Sequence, residues 1–163
     1  MARSPCSYDE VMATTESKAV LRRRLREWRR ALSSDDITAR SQTIVEQLKA
    51  LIAQRDAHVV MLYSAIHGEP DLSRLAAWCW SNAISVVVPE DDLGSIQVDV
   101  VVAPGVAFTA AGDRLGQGGG WYDRFLAAIP SSVLIVGVCF EEQVLGSLPV
   151  EDHDVRVHRV IVG

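Results

Sequence analysis

From Lys18 to Leu32 the apolar residues Leu21, Leu25, Trp28 and Leu32 recur at intervals of four, three and four, the spacing of one face of an amphipathic helix. Ser33 or Ser34, followed by Asp35 and Asp36, supplies an N-cap and an acidic first turn for a second helix. Its apolar stripe is Ile37, Ile44, Leu48, Leu51 and Ile52. The period then changes. His58 to Tyr63 is a short β-branched run bounded by polar residues and predicts a buried strand. Asp71 is placed to cap a helix carried by Leu72, Leu75, Ala76 and Cys79, and Ile84 to Val88 predicts a second strand closed by Pro89. Asp99 to Ala103 predicts a third strand, Trp121 to Ile129 a helix after a glycine cluster, Val133 to Cys139 a fourth strand and Arg159 to Val162 a last one. Continuous Val and Ile strands alternating with helices predict an α/β fold. The expected form is a three-layer sandwich: a mostly parallel sheet, helices on both faces, and an N-terminal helical pair. Residues 1–15 have no periodicity and are expected to be a mobile tail, with 16–163 a single α/β domain.

Composition narrows the function classes. A chain of 163 residues, 48% hydrophobic and 23% charged, is long enough to build one sizeable core without disulfides or metals. Sixteen basic against 21 acidic side chains leave a net charge of −5, which argues against a nucleic-acid partner bound by counterion release. The basic residues crowd into the first third: 11 of them, with 8 acids, precede Ala57, against 5 and 13 afterwards. Any anion site is therefore local. Cys6, Cys79 and Cys139 are odd in number and widely spaced, so a reducing, cytoplasmic setting is expected, with Cys79 and Cys139 as core residues. The longest uncharged apolar run, Val133 to Phe140, is too short to cross a bilayer. No membrane partner is expected, and the chain is read as a monomer or weak homo-oligomer.

The densest chemical signal is Gly112-Asp-Arg-Leu-Gly-Gln-Gly-Gly-Gly-Trp-Tyr-Asp-Arg124, between a strand and a helix, where parallel sheets bind ligands. Four glycines in five positions allow backbone N–H groups close to an anion, and the next helix N-terminus adds partial positive charge. The spacing fits neither the Walker nor the dinucleotide pattern; a plain glycine turn is the competing reading. On a helical wheel Lys18, Arg22 and Arg29 share one edge of the first helix, aimed along the surface and able to converge on phosphate. Glu69, in Tyr63-Ser-Ala-Ile-His-Gly-Glu-Pro70, follows a strand at the ligand end of the sheet, and Asp154 lies in Pro149-Val-Glu-Asp-His-Asp154. Asp123 with Asp154 could hold a Mg²⁺ that bridges nucleotide phosphates. His67 and His153 lack ligand spacing and read as surface-loop histidines.

These motifs, in this order, resemble the 5-formyltetrahydrofolate cyclo-ligase (5,10-methenyltetrahydrofolate synthetase) family. The residues concerned are Lys18-x-x-x-Arg22, His67-Gly-Glu69, Asp99-Val-Val-Val-Ala-Pro-Gly-Val-Ala-Phe108, the 112–124 loop, Val136-Gly-Val-Cys-Phe-Glu-Glu-Gln143, Leu148-Pro149 and His153-Asp154. The resemblance implies an ATP-dependent, Mg²⁺-requiring cyclisation of 5-formyltetrahydrofolate to 5,10-methenyltetrahydrofolate, releasing ADP and phosphate. A noncatalytic or weakly active ATP- or folate-binding relative on the same fold is the alternative. Carried over residue by residue, it implies a nucleotide site of Lys18, Arg22, Arg114, Leu115, Gly116, Gln117, Gly118, Gly119, Gly120, Trp121 and Tyr122. Glu69 and Tyr122 are implied at the folate, and Asp123 and Asp154 at the metal. No general base is implied. Gln117 and Trp121 stand where the family's loop usually has other, often aromatic, side chains. Between Pro89 and Asp99 only Glu90 to Val98 intervene; the family carries a longer stretch there that contributes to the folate pocket, so the domain is read as shortened around 90–98.

Overall fold

The computed structural model describes residues 16–89 and 97–163. The tail expected at 1–15 and most of the short connection after Pro89 lie outside the described residues. Helix α1 spans Lys18–Arg30, its first turn capped by Ser17, whose Oγ accepts from the Val20 N–H. Helix α2, Ser34–Gln54, begins at Ser33, whose Oγ accepts from the Asp36 N–H. Strand β1 is Val59–Met61, helix α3 Ser73–Ser81, strand β2 Ser85–Val87 and strand β3 Val100–Ala103. Two two-residue strands, β4 (Ala107–Phe108) and β5 (Arg114–Leu115), precede helix α4, Trp121–Ala128. Strand β6, Leu134–Cys139, and strand β7, Arg159–Val162, complete the chain.

The main sheet has the order β2-β1-β3-β6-β7, and every pairing is parallel. The sequence reading is thus met in class and order, with shorter strands. Asp71 acts one position earlier than a cap: Leu72 occupies the N-cap, while Asp71 Oδ1 accepts from the Ser73 N–H at 2.9 Å.

Alternation along the strands explains the layers. Val60, Val100, Val102, Val136 and Val138 face a core with Ile44, Leu48, Ile52, Leu75 and Cys79, so α2 and α3 cover that side. Their neighbours Met61, Val101, Ala103, Ile135 and Cys139 face Leu126, and α4 covers the other. Continuous Val and Ile are required because both faces are dry. Helix α1 departs from this plan: Leu21 and Leu25 pack on Val106, Ala107 and Leu115. The antiparallel β4–β5 pair, invisible to periodicity, therefore seats α1 beside the ends of β1 and β3. Among the described residues no helix is long and apolar enough to cross a membrane.

Candidate functional site

The segments leaving the C-terminal ends of β1 and β3 meet the β5–α4 loop at one edge of the sheet, as expected for an open parallel sheet. Two cavities open there, and the glycine loop stands between them. One, of about 280 Å³, is lined by the charged side chains of Lys18, Arg22, Arg114, Asp123, Glu151 and Asp154, with His153, Gly116, Gly118 and Gly120. The other, of about 480 Å³, is mainly apolar and lies among Tyr63, Ile66, Glu69, Val88, Pro89, Pro104, Trp121 and Tyr122. Arg114, Gly116, Gly120 and Asp123 line both.

The loop's shape is set by its glycines. Gly118 and Gly120 have φ of 111° and 65°, conformations costly for residues with a Cβ. Gly120 precedes α4, and the Arg124 N–H donates to its carbonyl. Arg22 Nε donates to the Gly116 carbonyl at 2.8 Å. Arg114 is buried and donates from Nη2 to Asp123 Oδ1 at 2.8 Å, with side-chain exposures of 2% and 14%. The same Asp123 oxygen accepts from the Val155 N–H. Arg114 Nε and Tyr122 Oη are buried without a hydrogen-bond partner among the described residues, although the Arg114 guanidinium lies 5.6 Å from the Tyr122 ring centroid. Burial, with the Glu69 charge acting in the same direction, pushes the Tyr122 phenol above its usual range. It is therefore protonated, on a residue that lines the apolar cavity.

At the far wall of the charged cavity Lys18 Nζ donates to Asp154 Oδ2 at 2.6 Å and Glu151 Oε2 at 2.7 Å. Burial pushes the Asp154 carboxyl up, but the Lys18 and Glu151 N–H hydrogen bonds prevail and hold it below the ordinary value. The Lys18 ammonium is raised, since its two carboxylate partners outweigh partial burial. The two acids expected at a metal thus share a cavity, each already engaged by a cation. Glu151, His153 and Asp154 also place one possible ligand atom each within 4.8 Å of one another; Asp123 is outside that group. His153, read as a surface histidine, is indeed exposed, yet it lies on this cavity.

Glu69 is 4% exposed in the wall of the apolar cavity. Its Oε2 accepts from the Ile66 N–H and its Oε1 from Gln117 Nε2 at 2.9 Å. Arg29 corrects the sequence reading. It is 1% exposed rather than on the surface, with Nε donating to the His67 carbonyl and Nη2 3.6 Å from Glu69 Oε1. Of the basic edge of α1, Lys18 and Arg22 reach the charged cavity, and Arg29 is spent inside the protein. Sequence reasoning missed Glu151, which sits in the quoted 149–154 motif, and Arg26, which grips Gln117.

The model of the 5-formyltetrahydrofolate cyclo-ligase family matches residues 14–98 and 90–163, two stretches that meet at the short connection. A protein named 5-formyltetrahydrofolate cyclo-ligase from Haemophilus influenzae is 25% identical over 185 residues, covering 91% of this chain and 99% of its own. The Saccharomyces cerevisiae protein of the same name is 27% identical, covering 90% and 95%. Among solved structures, a 5,10-methenyltetrahydrofolate synthetase from Aquifex aeolicus superposes with a TM-score of 0.76 at 27% identity, covering 89% of each chain. One from Mycoplasma pneumoniae, at 23% identity, shares the fold with a TM-score of 0.79, covering 90% and 98%.

Proposed function

Because the chain belongs to the 5-formyltetrahydrofolate cyclo-ligase family, we propose that it closes 5-formyltetrahydrofolate to 5,10-methenyltetrahydrofolate at the expense of ATP. The observation that carries the reading is the shared wall: a polar, cation-lined cavity and a larger apolar one meet at Arg114, Gly116, Gly120 and Asp123. A triphosphate in the first and a pterin in the second would bring the γ-phosphoryl group and the formyl oxygen together at that wall.

The chemistry requires such a meeting. A formamide is a poor electrophile, and transfer of the γ-phosphoryl group to its oxygen turns that oxygen into a leaving group. ADP leaves with that transfer, N10 then attacks the formyl carbon and gives up its proton to water, and the ring closes as phosphate departs. Positioning and charge neutralisation do most of this work. Lys18, Arg22 and Arg114 would meet phosphate oxygens, and Gly116, Gly118 and Gly120, with Leu115, would form the cradle; Gln117, Gly119 and Trp121, expected there too, line only the apolar cavity. Glu69 and Tyr122 would face the folate, where the buried Tyr122 hydroxyl has a proton to donate. Lys18 must then exchange its carboxylate partners for phosphate.

The oxygen-rich set of Asp123, Glu151 and Asp154, placed among three cations, suits Mg²⁺ carried with polyphosphate better than a bare anion, because Mg²⁺ takes one or two carboxylates and keeps other oxygen ligands. Asp123 and Asp154 would hold it, and it would neutralise charge on the phosphates. Free, buried Cys79 and Cys139 support work in a reducing compartment such as the cytoplasm.

Calorimetric titration tests the two cavities separately. A β,γ-imido ATP analogue with Mg²⁺ and 5-formyltetrahydrofolate should each bind at one site per chain, and Lys18→Met should weaken the nucleotide more than the folate. Equal effects on both, or competition between the two ligands, would sink the two-cavity assignment.

A further inference from the structure

Arg26 lines neither cavity, yet it makes the densest set of contacts to the loop between them. Its Nε and Nη2 both donate to Gln117 Oε1, at 2.9 and 2.7 Å, and Nη2 also donates to the Gln117 carbonyl. A planar fork thus holds the side chain and the backbone of one loop residue at once, a geometry suited to guanidinium. Gln117 in turn donates from Nε2 to Glu69 Oε1 at 2.9 Å, and Glu69 lies 3.6 Å from buried Arg29. Both amide atoms of Gln117 are used, so its orientation is fixed: the oxygen toward helix α1, the nitrogen toward Glu69.

We propose that Arg26 is a positioning residue that, through Gln117, sets the glycine loop and the Glu69 carboxylate in register. This rests on the two-cavity reading above. Gly118 to Gly120 have no side chains, and Arg22 and Arg124 hold only the carbonyls of Gly116, Gly119 and Gly120, so without the Arg26 contact Gln117 and Gly118 have conformations to lose when a ligand orders them. Pre-ordering them raises affinity in both cavities without touching either ligand. Arg26 also keeps the Gln117 amide turned so that its N–H, not its oxygen, faces Glu69.

The test compares Arg26→Ala, Arg26→Lys, Gln117→Ala and the double Ala variant, beginning with backbone ¹⁵N order parameters of residues 116–120 in the ligand-free protein, whose N–H groups have no protein acceptor among the described residues. Arg26→Ala is expected to lower these parameters from the rigid range, about 0.85, to below about 0.6, with unchanged values in the strands. Lys at 26, a single compact ammonium without the fork, should recover only part of the order. Dissociation constants for MgATP analogue and 5-formyltetrahydrofolate should both rise, and the double variant should lose less than the sum of the two single variants, because the Arg26–Gln117 contacts are shared. Unchanged order parameters at 116–120, full recovery by Lys, or additive losses in the double variant would overturn the proposal. The relaxation measurement needs no ligand, so it stands even if the assignment of the cavities fails.

Discussion

Arg114 Nη2 lies 2.8 Å from Asp123 Oδ1, and this pair forms part of the wall common to both cavities. Asp123 would therefore do two things: hold a buried guanidinium in place and present its other oxygen to a metal. Asp123→Asn keeps the shape and removes the charge. Leaving Arg114 buried without its counter-charge should cost about 3 kcal/mol of stability, read from chemical denaturation. MgATP binding should fall further than nucleotide binding measured in chelator. Equal falls with and without Mg²⁺ would leave Asp123 with the structural task alone.

Lys18 clasps a loop 136 residues away, and the clasp has a definite pH window. Asp154 is held below the ordinary carboxylate value, so its contribution is complete above the unfolded titration and lost as pH falls through the folded one. Lys18 is raised above 10.5, so its contribution is complete below that value and lost as pH rises through the folded one. The stability difference between wild type and Lys18→Met, about 1 kcal/mol for a partly exposed pair, should therefore be flat from about pH 5 to 10 and shrink as pH falls below about 4. A difference that persists undiminished at pH 3 would show that Lys18 stabilises by packing.

What the sequence disclosed and what it hid divide along one line. The α/β class, the strand order along the chain and the helix start at Ser33 rest on local patterns, and the glycine loop advertises itself. The β4–β5 pair is hidden because two-residue strands carry no period. Arg29 was misplaced because a wheel of one helix cannot see Glu69, forty residues on, which makes burial of that guanidinium tolerable. Arg26 carries no local signal for the same reason: its partner, Gln117, is 91 residues distant.

The glycines should separate the cavities. A Cβ at Gly119 meets nothing within 4 Å and its φ is not positive; it lines only the apolar cavity. Gly118 has φ 111° and lines only the charged one. Gly118→Val should strain the loop by about 1–3 kcal/mol and weaken the nucleotide most. Gly119→Val should fold normally and weaken 5-formyltetrahydrofolate most. Calorimetry of both variants with both ligands decides it, and the reverse pattern would exchange the cavity assignments.

Val88 and Pro89 line the apolar cavity where the chain enters the short 90–98 connection. If that connection is a shortened pocket wall, part of a pterin ring stays wet. Losing about 100 Å² of apolar contact at ~25 cal/mol per Å² removes roughly 2.5 kcal/mol, more than ten-fold in affinity. Measured side by side with the Haemophilus influenzae relative, the KM for 5-formyltetrahydrofolate should be at least ten-fold higher here and the KM for ATP similar. Equal folate values would show that residues 90–98 suffice.

The most direct measurement mixes the full chain with MgATP and 5-formyltetrahydrofolate and follows the absorbance of the methenyl product together with phosphate release, over a range of protein concentrations. The expected result is product that appears only when all three are present, one phosphate released per methenyl group formed, and loss of both signals in Arg114→Ala. Nucleotide and folate binding without any product at any protein concentration would contradict the ligase reading and leave a binding protein on this fold.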